Sequence, residues 1–164
     1  MGTMTVTGLD EFSANLEAIA NGSVDAAKKS IYDGANILAD AMKKQLEQIP
    51  AITDAEAIRR YRKKLPGQIT ERQKTGLING MGIAPMEEKG GVIDTHIGFD
   101  GYNEVRTKRW PNGQPNIVVA RAVDSGTSFM QKTPFIRATV QSAKTRALLK
   151  MQDTFEKEID KLGG

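Results

Sequence analysis

At 164 residues, with 39% hydrophobic, 26% charged and 5% aromatic residues, the chain has the make-up of one soluble globular domain, large enough for a real core and an extended arm. No apolar run approaches the roughly 20 residues of a membrane helix, and the lack of any cysteine removes disulfides, thiolate metal sites and cysteine nucleophiles together. The formal charge of +3 is too small to imply a polyanionic partner, but it is unevenly placed: residues 1–50 hold seven acids and four bases, whereas residues 59–74 hold seven bases and one acid.

The opening, "MGTMTVTGLDEF", has neither the basic nor the apolar region of a signal peptide, and Val6 breaks the myristoylation pattern, so neither feature is expected. Met4 to Thr7 reads as a short strand. Leu9, Phe12, Leu16 and Ile19 then recur at three, four and three, the stripe of a short helix. Asn21-Gly22 is a breaker and Ser23 a candidate N-cap for a second helix. That helix carries the stripe Val24, Ala27, Ile31, Ala35, Leu38, Met42, Leu46 and Ile49, and Pro50 ends it; Lys43 and Lys44 suit its C-terminal dipole.

Thr53-x-x-Glu56 is a capping-box pattern opening a helix to about Lys64, stopped by Pro66-Gly67. Only Ala57, Ile58, Tyr61 and Leu65 give it an apolar side, so it is expected at the periphery or as an insertion over about 51–74. It carries five bases in six residues: Arg59, Arg60, Arg62, Lys63 and Lys64.

"TGLINGMGIAPM" (75–86) and "GVIDTHIGF" (91–99) read as two strands of a hairpin with a flexible tip at "EEKGG" (87–91). Residues 100–116, with two prolines, two glycines and three asparagines, read as a loop. "IVVARAV" (117–123) fits a strand or a short buried helix. Thr133 is an N-cap candidate and Pro134 suits the first helical position. Ile136, Val140, Ala143, Ala147, Met151, Phe155, Ile159 and Leu162 then mark a long final helix, with Gly163 available to end it. Helices, then strands, then a long helix predict an α+β fold: a small antiparallel β-sheet packed against a long helix of the N-terminal half and a long C-terminal helix.

Asp124-Ser125-Gly126-Thr127-Ser128, after a hydrophobic run, resembles an aspartic-protease loop, in which two carboxylates share a proton. That chemistry needs a mostly β frame and a second carboxylate loop. Here a single match leads into a long helix, so a turn is the better reading and the protease a remote alternative. His96, the one histidine, has no clustered partners and reads as structural. No catalytic residue, metal ligand or cofactor site is expected, nor a small-molecule or membrane partner.

The order of the pieces resembles a family: the head–tail joining proteins of long-tailed (siphovirus) bacteriophages, described as minor tail, neck or tail-completion proteins. The resemblance rests on Gly8-Leu9-Asp10-Glu11-Phe12, the helix "DGANILADAMKKQL", Thr75-Gly76-Leu77-Ile78 and the stretch Ile97 to Tyr102. It continues through Pro115-Asn116, Val119-Ala120-Arg121-Ala122, Gly126-Thr127-Ser128 and Pro134-Phe135-Ile136-Arg137. It covers nearly the whole chain except residues 51–74, where the basic segment is longer than the family pattern.

The resemblance implies one head–tail joining domain over 1–164 and a structural role without catalysis. Sixfold-related copies would form a ring around the DNA channel at the phage neck, in contact with other neck and tail proteins. The chain would then belong to the virion, and to the host cytoplasm during assembly. Candidate contact surfaces are the 100–116 loop with Arg109 and Trp110, the tip at 87–91 and the final helix; Gly126 and Thr127 would form the family's turn. Arg59, Arg60, Arg62, Lys63 and Lys64 would face either channel DNA, without sequence preference, or acids of a neighbouring subunit. The alternative function is a free DNA-binding protein using residues 59–74.

Overall fold

A computed structural model describes residues 9–163 and the side chains from Ala20 onward. The expected strand at Met4 to Thr7, and the side chains of the first apolar stripe, lie outside the described residues. The fold is α+β, in the order α1 (Leu9–Gln48), α2 (Asp54–Arg62), α3 (Glu71–Gly80), β1 (Met81–Ile83), β2 (Glu87–Lys89), β3 (Val92–Asp94), β4 (Ile97–Phe99), α4 (Asn116–Ser125) and α5 (Phe135–Gly163).

α1 is one helix of 40 residues, not two separated at Asn21-Gly22. At 1.5 Å per residue it is about 60 Å long. The breaker is overridden by packing, because Gly22 lies against α5, where a Cβ would stand 2.5 Å from Leu162 Cδ1. Ser23 caps nothing; its hydroxyl donates to the Ala20 carbonyl (2.7 Å), a back-bond serines make inside helices. At the other end Pro50 stops the helix. The cation on its last carbonyls comes from α3: Lys74 Nζ donates to the carbonyls of Glu47 (2.6 Å) and Ile49 (2.8 Å).

α5 runs antiparallel to α1 along two unlike zones. In the first, small residues let the backbones approach: Ala26, Ser30 and Gly34 of α1 face Ala147, Met151 and Thr154 of α5. Here Ser30 Oγ donates to the Met151 carbonyl (2.6 Å) and Thr154 Oγ1 to Asp33 Oδ2 (2.7 Å). In the second, α1 enters the main core, where Met42, Leu46 and Ile49 meet Leu77, Val119, Val123 and Phe135. Phe99 of β4 packs edge-on against Phe135, ring centres 6.0 Å apart. That contact ties the hairpin to the C-terminal helix. Burying each fully enclosed leucine, Leu46 and Leu77, contributes about 1.5–3 kcal/mol.

Thr75 to Gly80, expected as strand, is helical. Thr70 and Gln73 form a full capping box: Thr70 Oγ1 accepts from Gln73 N (3.2 Å) and Gln73 Oε1 from Thr70 N (3.0 Å). This starts α3 at Glu71, and the strand shrinks to Met81–Ile83. The hairpin is built in two stages, β1 with β4 (Met81 opposite Phe99) and β2 with β3 (Glu87 opposite Asp94). Its tip is Gly90-Gly91, with φ of +61° and +78°, the pair of positive angles a type I′ turn requires. The "EEK" of the expected tip is strand β2.

Residues 117–123 resolve as helix α4, which opens at Asn116. α5 opens at Phe135, one residue after Pro134. Its first turn is served by Asp124, whose Oδ1 accepts from Ile136 N (2.9 Å) across twelve residues, and not by Thr133.

Candidate functional site

α2 is placed by its ends. Thr53 Oγ1 accepts from Glu56 N (3.3 Å), the N-cap the sequence predicts. The reciprocal half of the box is replaced: Glu56 lies 2.7 Å from Arg59 Nε and 3.3 Å from Arg60 Nε. The hydrogen bond from Arg59 holds the Glu56 carboxyl below its ordinary value, and Glu56 in turn raises Arg59. Arg60 also donates to the Pro66 carbonyl (3.1 Å). Two of the five bases are thus tied within their own segment.

The helix ends before Lys64, at Arg62. Lys64 N donates to the Tyr61 carbonyl and Leu65 N to the Arg60 carbonyl, the paired bonds of a Schellman motif, with Lys64 at φ +54° where glycine is usual. Arg62, Lys63 and Lys64 have no acidic partner among the described residues.

Pro66-Gly67 then brings the chain against the turn that follows α4. Gly67 N donates to the Phe129 carbonyl (2.7 Å) and Gln131 N to the Gly67 carbonyl (2.9 Å). A Cβ on Gly67 would stand 2.7 Å from that Phe129 oxygen, so the close pairing needs glycine. On the other side Arg72 joins Asp54 Oδ2 (3.0 Å) to the Glu104 carbonyl, fixing α2 to the 103–114 loop.

Between these anchors lies an open cleft of about 1320 Å³. Ile58, Tyr61 and Leu65 of the α2 segment are 54%, 80% and 50% exposed around it, and Phe129 is 77% exposed. Across the described residues no side chain of α2 is buried. Its apolar side therefore faces the cleft, not a core. Arg62, Lys64 and Arg106 add positive charge to the lining. The space exceeds the roughly 300–1,000 Å³ of small-ligand pockets, and it suits a protein surface with an apolar patch and negative charge.

Other predicted residues fall outside this cleft. Arg109 stacks its guanidinium over Trp110, 5.4 Å from the ring centre, at a tight turn closed by Thr107 and Trp110; the indole is half-buried. α4 extends over Asp124 and Ser125, which were expected in the turn; Gly126 (φ +74°) closes the helix and Thr127 begins the turn that follows it. Thr127 Oγ1 accepts from Phe129 N (3.1 Å) and Met130 N (2.9 Å), so the threonine, and not Asp124 or Ser125, makes the local bonds. His96 points its side chain to solvent, and its carbonyl accepts from Ala84 N (2.7 Å) between the two stages of the hairpin.

Among the described residues, no group of His, Cys, Asp or Glu is arranged to hold a metal, and no helix is long and apolar enough to cross a membrane. Sequence reasoning missed Phe129 and Arg106, which reach the cleft from loops far along the chain. It also missed a second basic surface: α5 carries exposed Arg137, Lys144, Arg146 and Lys150 with no acid before Asp153. No protein-family model, curated protein or solved structure matches the chain.

Proposed function

We propose that the chain is a structural protein of the neck of a long-tailed phage. Its copies associate head to tail into a ring, sixfold-related, around the channel through which DNA leaves. It performs no catalysis, meets other neck and tail proteins, and belongs to the virion after assembly in the host cytoplasm.

Two independent supports converge on this reading. One is the ordered series of motifs from Gly8 to Arg137 that resembles the joining family. The other, which carries the argument, is α2: a helix with nothing buried, holding apolar side chains open over a wide cleft. A surface of that kind is completed by association. A ring of identical subunits needs one face that fits a different face of its neighbour.

The test is the solution mass by light scattering at low and moderate salt, with negative-stain imaging, alone and with the tail or connector proteins. Rings, or monomers that become rings on mixing, are expected. A monomer or twofold dimer that never forms rings with those partners would overturn the reading.

A second reading draws on Arg62, Lys63 and Lys64, which lack acidic partners among the described residues: the isolated chain binds duplex DNA without sequence preference. Three phosphate contacts give a log–log salt slope of about −2.7, from about −0.9 per contact. A flat salt response, or no binding at low salt, removes this reading and leaves the first untouched.

A further inference from the structure

We propose that the outer face of the hairpin tip, carrying Glu87, Val92 and Asp94, is what one protomer inserts into the cleft of the next. The inference rests on the ring reading above and assigns its interface.

The strand register sorts the tip into two faces. Directly opposite residues share a face, so Glu88 and Ile93 lie on one side, and Glu87, Lys89, Val92 and Asp94 on the other. The first side is the inner one: Glu88 pairs with Lys28 of α1 (3.0 Å) and Ile93 is half-buried. All four residues of the second side are exposed. Glu87 and Asp94 stand directly opposite each other, and neither has a cationic partner among the described residues. Like charges in that position oppose hairpin formation. The tip nevertheless holds an acidic pair beside a 63%-exposed valine, with only Lys89 to offset it.

The cleft has the complementary character. Ile58, Tyr61, Leu65 and Phe129 offer apolar surface, and Arg62, Lys64 and Arg106 offer charge. A protomer cannot fill its own cleft. The tip is fixed at Lys28, whereas the cleft lies beyond Ile49 at the end of the same rigid helix, about 32 Å away at 1.5 Å per residue.

Val140, Leu148 and Leu149 on α5, another exposed apolar group among the described residues, are flanked by Arg137, Lys144 and Arg146 and would bring like charge to a basic rim. The tip, apolar at Val92 and acidic at Glu87 and Asp94, fits that rim. Tip and cleft lie on different parts of the molecule, so the contact is heterologous and repeats around a ring.

Charge reversal with mixing tests the contact. Glu87→Lys with Asp94→Lys reverses the tip, and Arg62→Glu with Lys64→Glu reverses the cleft; each variant is sized alone and in an equal mixture, beside wild type and with the same phage partners where wild type needs them. Each variant alone is expected to lose the ring species, and the mixture to regain it, since each tip then meets a cleft of opposite sign. Recovery also proves both variants folded. Rings from either variant alone, or a mixture that stays dissociated while wild type assembles, would overturn this contact and leave the ring reading standing.

If wild type itself never forms rings, the ring reading fails, and a cross-link decides the contact alone. Val92→Cys with Phe129→Cys, in a chain that otherwise lacks cysteine, should give intermolecular disulfides at high concentration. Their absence would overturn it.

Discussion

Asp124 stands in a pentapeptide shared with peptidase loops, yet its carboxylate accepts the Ile136 amide and so serves the first turn of α5. An acceptor at that position typically contributes about 1 kcal/mol, and its negative charge suits the positive end of the helix. Asp124→Ala should lower stability by about 1 kcal/mol in a thermal melt, whereas Asp124→Asn, which keeps an acceptor oxygen, should cost less. Acid peptidase chemistry would show the opposite pattern, with activity lost in Asp124→Asn while the fold is unchanged. The turn itself was legible, because Gly126 and Thr127 are local. Ile136 was not, since no short-range pattern says which amide a carboxylate will reach. Lys64 shows the same limit from another side: a left-handed lysine costs about 1–2 kcal/mol, and composition alone would never place it there.

At the scale of the element, two glycines inside helices separate propensity from packing. At Gly22 the nearest atoms a Cβ would meet among the described residues belong to Leu162, a 40%-exposed side chain near the end of α5 that is free to turn away. Ala gains about 1 kcal/mol over Gly in a helix interior, so Gly22→Ala should raise the melting temperature. At Gly76 the obstacles are Asn103 Cβ, with Asn103 Cα at 3.1 Å, and the buried amide of Asn116. These cannot move without disturbing the loop, and Gly76→Ala should lower the melting temperature despite the same intrinsic gain. Reversed signs in the two melts would refute this account.

The glycines also explain which elements the sequence disclosed. Asn21-Gly22 carries a turn signal that close helix packing overrides. The stretch 75–83 has the apolar, glycine-spaced look of a strand, but Thr70-x-x-Gln73 is a helix start visible in the sequence. The long final helix was readable because its periodicity runs uninterrupted, whereas the hairpin was readable in outline but not in its two stages or its tip at Gly90-Gly91.

At the scale of the whole molecule, the core is multilayered at one end, while at the other α1 and α5 form an arm that the hairpin tip reaches at Lys28. Two helices cannot cover each other on all sides, which leaves Tyr32, Leu148 and Leu149 about half exposed. Ion pairs supplement the thin arm: Glu158 binds Lys161 (2.7 Å) and, across the helices, Lys29 (2.6 Å). The hydrogen bond from Lys161, then that from Lys29, holds the Glu158 carboxyl below its ordinary 4.5. A lowered acid contributes stability that is complete above its unfolded value and disappears as pH falls through the lowered one. Acidification below about pH 4.5 should therefore loosen the arm first. Hydrogen exchange should show amides near Lys29 and Glu158 losing protection before those near Leu46 and Leu77; simultaneous loss would count against an independent arm.

The cleft belongs to this scale too, since its walls come from residues as far apart as Ile58, Arg106 and Phe129. The sequence displayed the basic run and the thin apolar side of α2, but not what gathers opposite them. The acidic pair at the hairpin tip bears on a different hazard. Each strand of the ribbon has an outer edge, and such edges invite chains to stack into extended sheets. Identical ribbons brought edge to edge in register would crowd Glu87 and Asp94 of one against those of the other. The tip thus discourages edge-to-edge stacking of its ribbons.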